Sequence, residues 1–116
     1  MAQLIYHLAY ADAWATALAT GQYLGTADDQ RDGYLHFSTA EQVRASAARH
    51  RAGRSDVVLV AVAVAAVEPW LRWEPARNGT LFPHLYCALT PAMVTWAQPL
   101  ALGADGTHVF PESVAP

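Results

Sequence analysis

The chain has 116 residues, 53% of them hydrophobic and 15% charged, with a formal net charge of −3. That is one domain's length, 1–116, with enough apolar side chains for a single core, and it is far from the composition of a disordered chain. The acidic balance argues against broad nucleic-acid binding, and the single cysteine, Cys87, excludes an internal disulfide.

No basic run precedes the first apolar residues, so no signal peptide is read, and the longest apolar run, Val57 to Val67, is 11 residues, too short to span a bilayer. The expected location is therefore the cytoplasm, with no membrane partner. There is no lysine: every basic side chain is an arginine or a histidine.

Leu4-Ile5-Tyr6-His7-Leu8 predicts a first strand. Asp12 is positioned to cap a helix with Trp14, Ala17 and Leu18 on one face, and Gly21 ends it. Gln22 to Asp32 reads as a loop whose end Asp28, Asp29 and Asp32 make acidic. The segment Asp32-Gly33-Tyr34-Leu35-His36-Phe37-Ser38-Thr39-Ala40-Glu41-Gln42 predicts a short strand running straight into a helix. Ser38 with Glu41, or Thr39 with Gln42, has the capping-box spacing. Such a helix start offers unpaired N–H groups beside His36 and Ser38, a plausible anion pocket. The helix presents Ala40, Val43 and Ala47 to the interior and Glu41, Arg44 and Arg51 to water, and Gly53 stops it.

Asp56 to Val64 is the strongest strand, apolar on both faces and therefore central in a sheet. Leu71-Arg72-Trp73-Glu74 is a short strand ended by Pro75. Asn78-Gly79 is a turn. Pro83 places the start of the next strand after itself. Val94 to Ala97 is a further strand, and Val109-Phe110 a short edge strand. Two helices and about six strands without regular βαβ alternation predict an α+β fold.

His7, His36 and His84 lie in strands beside aromatic residues, where a fixed backbone and a tunable pKa suit a pocket. Glu74 stands beside Trp73. Desolvation there would raise its pKa and suit it to acid–base work, whereas pairing with Arg72 or Arg77 would leave it an ordinary surface carboxylate. The arginines 44, 49, 51 and 54 read as the solvated end of a helix or as a phosphate grip. Cys87, in an apolar strand, reads as a core thiol. His7, His36 and His84 with a water would suit zinc, but no HxH or HxxxH pair supports that, so no metal is assigned.

The blocks Ile5-Tyr6-His7-Leu8, Trp14, Gly33-Tyr34-Leu35-His36-Phe37-Ser38 with Gln42, Trp73-Glu74, and Phe82-Pro83-His84-Leu85-Tyr86 resemble the bacterial family called domain of unknown function 952, over about positions 3 to 100. Cys87 departs from it, since the family more often has glycine after the tyrosine. The resemblance implies a split pair of mostly antiparallel sheets grouped with the ADP-ribosyltransferase-like fold, which binds NAD or ADP-ribose. In its terms His7 holds a ribose hydroxyl, Ser38 braces the nicotinamide side, and Glu74, His84 or Tyr86 fills a third position. Glu74 in that place would steady positive charge at the ribose C1.

The candidate catalytic residues are thus Glu74 and His36, and the candidate substrate-binding residues are His7, Ser38, Thr39, His84 and Tyr86. NAD enters as a substrate rather than a resident cofactor. Three readings stay open: a pocket that binds a nucleotide-like ligand and transfers or cleaves ADP-ribose, a non-catalytic module sensing a small metabolite, and a histidine metal hydrolase.

Overall fold

Alternation along β1 (Leu4–Tyr10) sends Ile5 and Ala9 into one apolar cluster and Tyr6 and Leu8 into another on the opposite face. β3 (Val57–Ala63) does the same with Val58, Val60 and Val62 against Val57, Leu59 and Ala61. Burial on both sides makes β3 the middle of a three-stranded antiparallel sheet, β1-β3-β6, with β6 spanning Val94–Pro99. This is the central strand expected from sequence. The computed structural model describes residues 3–114.

The second sheet is also antiparallel, in the order β2-β5-β4: β2 is Leu35–His36, β5 Leu81–Leu85 and β4 Leu71–Pro75. Leu35 and Leu85 pack into the cluster shared with the first sheet, so His36 and His84, one residue away along their strands, point to the opposite face. A reciprocal pair of backbone hydrogen bonds between Tyr6 and Ser38, both 2.8 Å, splices the two sheets. The chain is therefore one α+β domain with two small antiparallel sheets.

Helices fill the margins. α1 (Ala11–Thr20) buries Trp14 and Ala17, and Gly21 closes it in the left-handed region at φ 87°. Leu18, expected on the same face, is 57% exposed, and Asp12 sits in the first turn rather than at the cap. α3 (Val43–His50) lays Val43 and Ala47 against the second cluster. Two helical segments were not anticipated: α2 (Ala27–Asp32) inside the expected loop, and the single turn α4 (Val64–Val67), which ends β3 one residue early.

The remaining differences have local causes. α3 begins at Val43, not at Ser38 or Thr39, because Thr39 and Gln42 close a turn first: the Thr39 N–H donates to Gln42 Oε1 at 3.0 Å. The helix start therefore lies five residues past Ser38. Arg44 and Arg51 turn inward rather than to water, donating to the carbonyls of Val114 and Leu8. Pro83 lies inside β5, opposite Trp73. Its carbonyl accepts the Phe37 N–H just past the two-residue β2, so its missing donor falls where the ladder has already ended. Pro75 is likewise the last strand residue of β4, and Val109-Phe110 forms no strand, leaving only an isolated bridge between Leu102 and His108.

Candidate functional site

The site is built around Asp29, which the sequence reading placed only as one acid of a loop. Thr26 and Asp29 form a capping box: the Thr26 N–H donates to Asp29 Oδ2 at 2.7 Å and the Asp29 N–H to Thr26 Oγ1 at 3.3 Å. Gly25 precedes it at φ +95°, where a Cβ would lie 2.6 Å from Asp29 Cβ. Only glycine lets the backbone pass this close to the carboxylate. Asp29 is 3% exposed, yet every donor it needs is supplied. Its Oδ1 accepts both the backbone N–H of His36, at 2.9 Å, and the His36 ring Nδ1–H, at 2.5 Å. Burial alone would raise the carboxyl's pKa; the bonds from His36 and Thr26 outweigh it and hold it at about 2.

His7 sits beneath this pair and is 2% exposed. Its Nδ1 lies 2.7 Å from the His36 carbonyl, which can only accept, so Nδ1 carries the hydrogen. Burial lowers the pKa of His7 and keeps the ring neutral against the opposing pull of Asp29. The Nε2 lone pair then accepts the Tyr23 hydroxyl at 2.6 Å. Both nitrogens are spent inside the fold, which leaves none for the ribose hydroxyl that the resemblance assigned to His7. Tyr23 was not singled out in the sequence.

His36 is the opposite case. The bond to Asp29 raises its pKa, with help from Asp32, whose Oδ2 lies 3.1 Å from Nε2. The side chain is 39% exposed. It faces the open side of the second sheet, where antiparallel registers sort side chains into rows. His36, His84 and Arg72 share one row, and Phe82 and Glu74 are neighbours in the next. Tyr34 stacks on His84 with centroids 4.1 Å apart, and the His36 and His84 rings lie 5.5 Å apart.

Glu74 holds His84 as Asp29 holds His36. Its Oε1 accepts His84 Nδ1–H at 2.8 Å and the Tyr86 hydroxyl at 2.6 Å. These two bonds, Tyr86 first, push the Glu74 pKa down, not up as its position beside Trp73 had suggested. Trp73 projects from the other face of β4, on the side of Pro83. With Nδ1 committed to Glu74, Nε2 of His84 has no hydrogen-bond partner among the described residues.

A cleft of about 680 Å³ opens over this face, between the second sheet, α2 and α3. His7, His36, Ser38 and His84 line it; Glu74, Thr39 and Tyr86 do not. The Ser38 and Ser46 hydroxyls share a hydrogen bond of 2.9 Å, and Ser38 caps no helix. From α3 the cleft takes Gln42, Ser46, Arg49 and His50, a stripe at helical spacing opposite the buried Val43 and Ala47. Arg49 and, from the β4–β5 turn, Arg77 line it without an ion pair among the described residues, whereas Arg31 is already held by Asp28 and Asp32. Of the arginine cluster read in the sequence, the stripe contains only Arg49, because Arg44 and Arg51 turn to backbone carbonyls; Arg77 was read only as a possible partner of Glu74. Among the described residues no group of three histidine, cysteine or carboxylate side chains converges as a metal would require, and none of the helices is long and apolar enough to cross a membrane.

Known proteins frame this geometry. The crystal structure of protein CC0527 from Caulobacter crescentus is 37% identical and superposes with a TM-score of 0.90, over 96% of this chain and 97% of that one. The solution NMR structure of CC0527 is 39% identical at a TM-score of 0.81, over 90% of each chain. No curated protein matches. The model of the family described as protein of unknown function (DUF952) matches residues 8–97, and the chain belongs to that family.

Proposed function

We propose that the cleft binds a small anionic nucleotide, with NAD and ADP-ribose as the class implied by the ADP-ribosyltransferase-like resemblance. The observation that carries this reading is the gathering of the His36 ring, whose pKa Asp29 raises, with Arg49 and Arg77, which have no ion-pair partner among the described residues, around one cleft that also offers the Tyr34 and Phe82 rings. Phosphate oxygens suit such donors, and aromatic faces suit a base or a nicotinamide. A volume of about 680 Å³ is in the usual range of small-molecule sites.

Transfer or cleavage of ADP-ribose through Glu74 gains no support, because its bonded oxygen faces His84 and Tyr86 and the residue stays off the cleft wall. That placement favours a second reading, a module that binds the nucleotide without acting at the ribose C1.

Saturation-transfer NMR on the full chain with NAD, ADP-ribose, AMP and unrelated uncharged metabolites tests the reading, with Arg49→Glu alongside. Arg49 is exposed and on a helix, so the variant keeps its fold by circular dichroism. Transfer to the nucleotides that fades in the variant supports the assignment. No transfer to any nucleotide, or transfer unchanged in Arg49→Glu, overturns it.

A further inference from the structure

His36 and His84 are cross-strand partners whose rings lie 5.5 Å apart on the cleft wall, and each has a carboxylate on Nδ1. Their second nitrogens differ. That of His36 lies 3.1 Å from Oδ2 of Asp32, an exposed carboxylate that a ligand can replace, while that of His84 has no hydrogen-bond partner among the described residues. One ring is therefore equipped to give a proton and its neighbour to take one, the asymmetry that acid–base catalysis requires.

We propose that His36 and His84 are an acid–base pair that opens a nucleoside 2′,3′-cyclic phosphate with water to give the nucleoside monophosphate, an inference that rests on the nucleotide reading above. The cleft suits this substrate class: Arg49 and Arg77 face the single negative charge, and Tyr34 and Phe82 offer faces to the base. The Ser38 and Ser46 hydroxyls on the cleft wall are bonded to each other, and water is the nucleophile. Water attacks phosphorus and loses its proton to His84 Nε2. The bond from phosphorus to the ribose O2′ breaks, its electron pair stays on O2′, and the His36 Nε2 proton moves to that oxygen. Solvent then reprotonates His36 and deprotonates His84. Glu74 is a positioning residue: it fixes the tautomer of His84 and stabilises the imidazolium formed.

The groups facing these rings set the pH dependence. His36 meets Asp29 and Asp32 from α2, His7 from β1, Tyr34, His50 from α3 and His84. His84 meets Glu74 and Arg72 from β4, with Tyr34, Tyr86 and His36. Activity falls with rising pH as His36 loses its proton.

The experiment is ³¹P NMR of adenosine 2′,3′-cyclic phosphate with the full chain across pH, beside His36→Gln, His84→Gln and Glu74→Gln. The expected result is conversion to the monophosphate that declines at alkaline pH, and a loss of about 100-fold or more in each histidine variant that still binds the nucleotide. Glu74→Gln keeps part of the rate and shifts the ¹⁵N resonances of the His84 ring, since the carboxylate opposite Nδ1 is gone. This shift reads the pair even where His84→Gln fails to fold. Binding of the cyclic nucleotide without turnover overturns the acid–base pair and leaves the nucleotide reading standing, while absence of any nucleotide binding overturns both. Equal rates in wild type and both histidine variants assign the turnover to a contaminant and overturn the proposal.

Discussion

Asp29 and Glu74 each hold a histidine by its Nδ1, but the Asp29 side chain is 2% exposed and that of Glu74 35% exposed. Below the surface the carboxylate must satisfy every donor around it, and Asp29 does so by tying the first turn of α2 to the backbone and ring of His36. At the sheet surface Glu74 uses one oxygen for His84 and Tyr86. The same chemical pair is architecture where it is dry and adjustable equipment where it is wet. Removing the buried member should therefore do the most damage. Asp29→Ala leaves the His36 and Thr26 N–H groups without their acceptor and the His36 ring without its counter-ion, and is expected to cost roughly 3–5 kcal/mol in urea unfolding. A loss within experimental error would erase the distinction between the two pairs.

Acid reads the same contrast without mutation. The Asp29 pKa of about 2 lies below its unfolded value, so its stabilisation is complete above about pH 4 and is lost as pH falls toward 2, by roughly 2 kcal/mol. His36 has the raised pKa, and its contribution is complete below about pH 6.5 and fades as pH rises through the folded value. The two describe one interaction and count once. His7, held neutral by burial, adds a loss on acidification through about pH 6.5, where only the unfolded chain takes up its proton. Urea midpoints from pH 2 to 9 should be highest near the middle of this span. His36→Gln should flatten the alkaline decline; an unchanged decline would detach it from His36.

How far the sequence reveals this arrangement depends on the range of the interaction. Periodicity exposed β1 and β3, because apolar alternation answers directly to burial. The histidines were visible as strand residues among aromatics. Their order in the cleft was not, because the His36–His84–Arg72 row exists only once β2, β5 and β4 are in register. Asp29 is the instructive miss. Thr26-Ala27-Asp28-Asp29 has the spacing of a capping box, yet three acids in one stretch looked like a solvated loop. Ser38 shows the reverse error: its spacing to Glu41 looked like a cap, and a tertiary partner, Ser46, claimed the hydroxyl.

Tyr23 tests a milder form of burial. Its hydroxyl is the sole donor to His7 Nε2 among the described residues, and Tyr23→Phe removes it while preserving the ring packed between His7 and Trp14. The expected cost is about 1–2 kcal/mol, that of one buried acceptor left unpaired. Chemical denaturation measures it, and the fold should otherwise be kept. A neutral result would show that water replaces the phenol as donor and that the buried network tolerates repair.

Glu74→Gln should affect stability least. Its carboxylate is solvated, its partners Tyr86 and His84 keep access to water or to each other's neighbours, and the amide oxygen still accepts one of the two bonds. The urea midpoint should match that of the wild type, while the ¹⁵N shifts of the His84 ring change, because the charge opposite Nδ1 has gone. That split between an unmoved fold and an altered ring separates a wet pair from a dry one. A loss of stability approaching that of Asp29→Ala would place Glu74 in the architecture and remove the reason to treat the His84 side of the cleft as free to act.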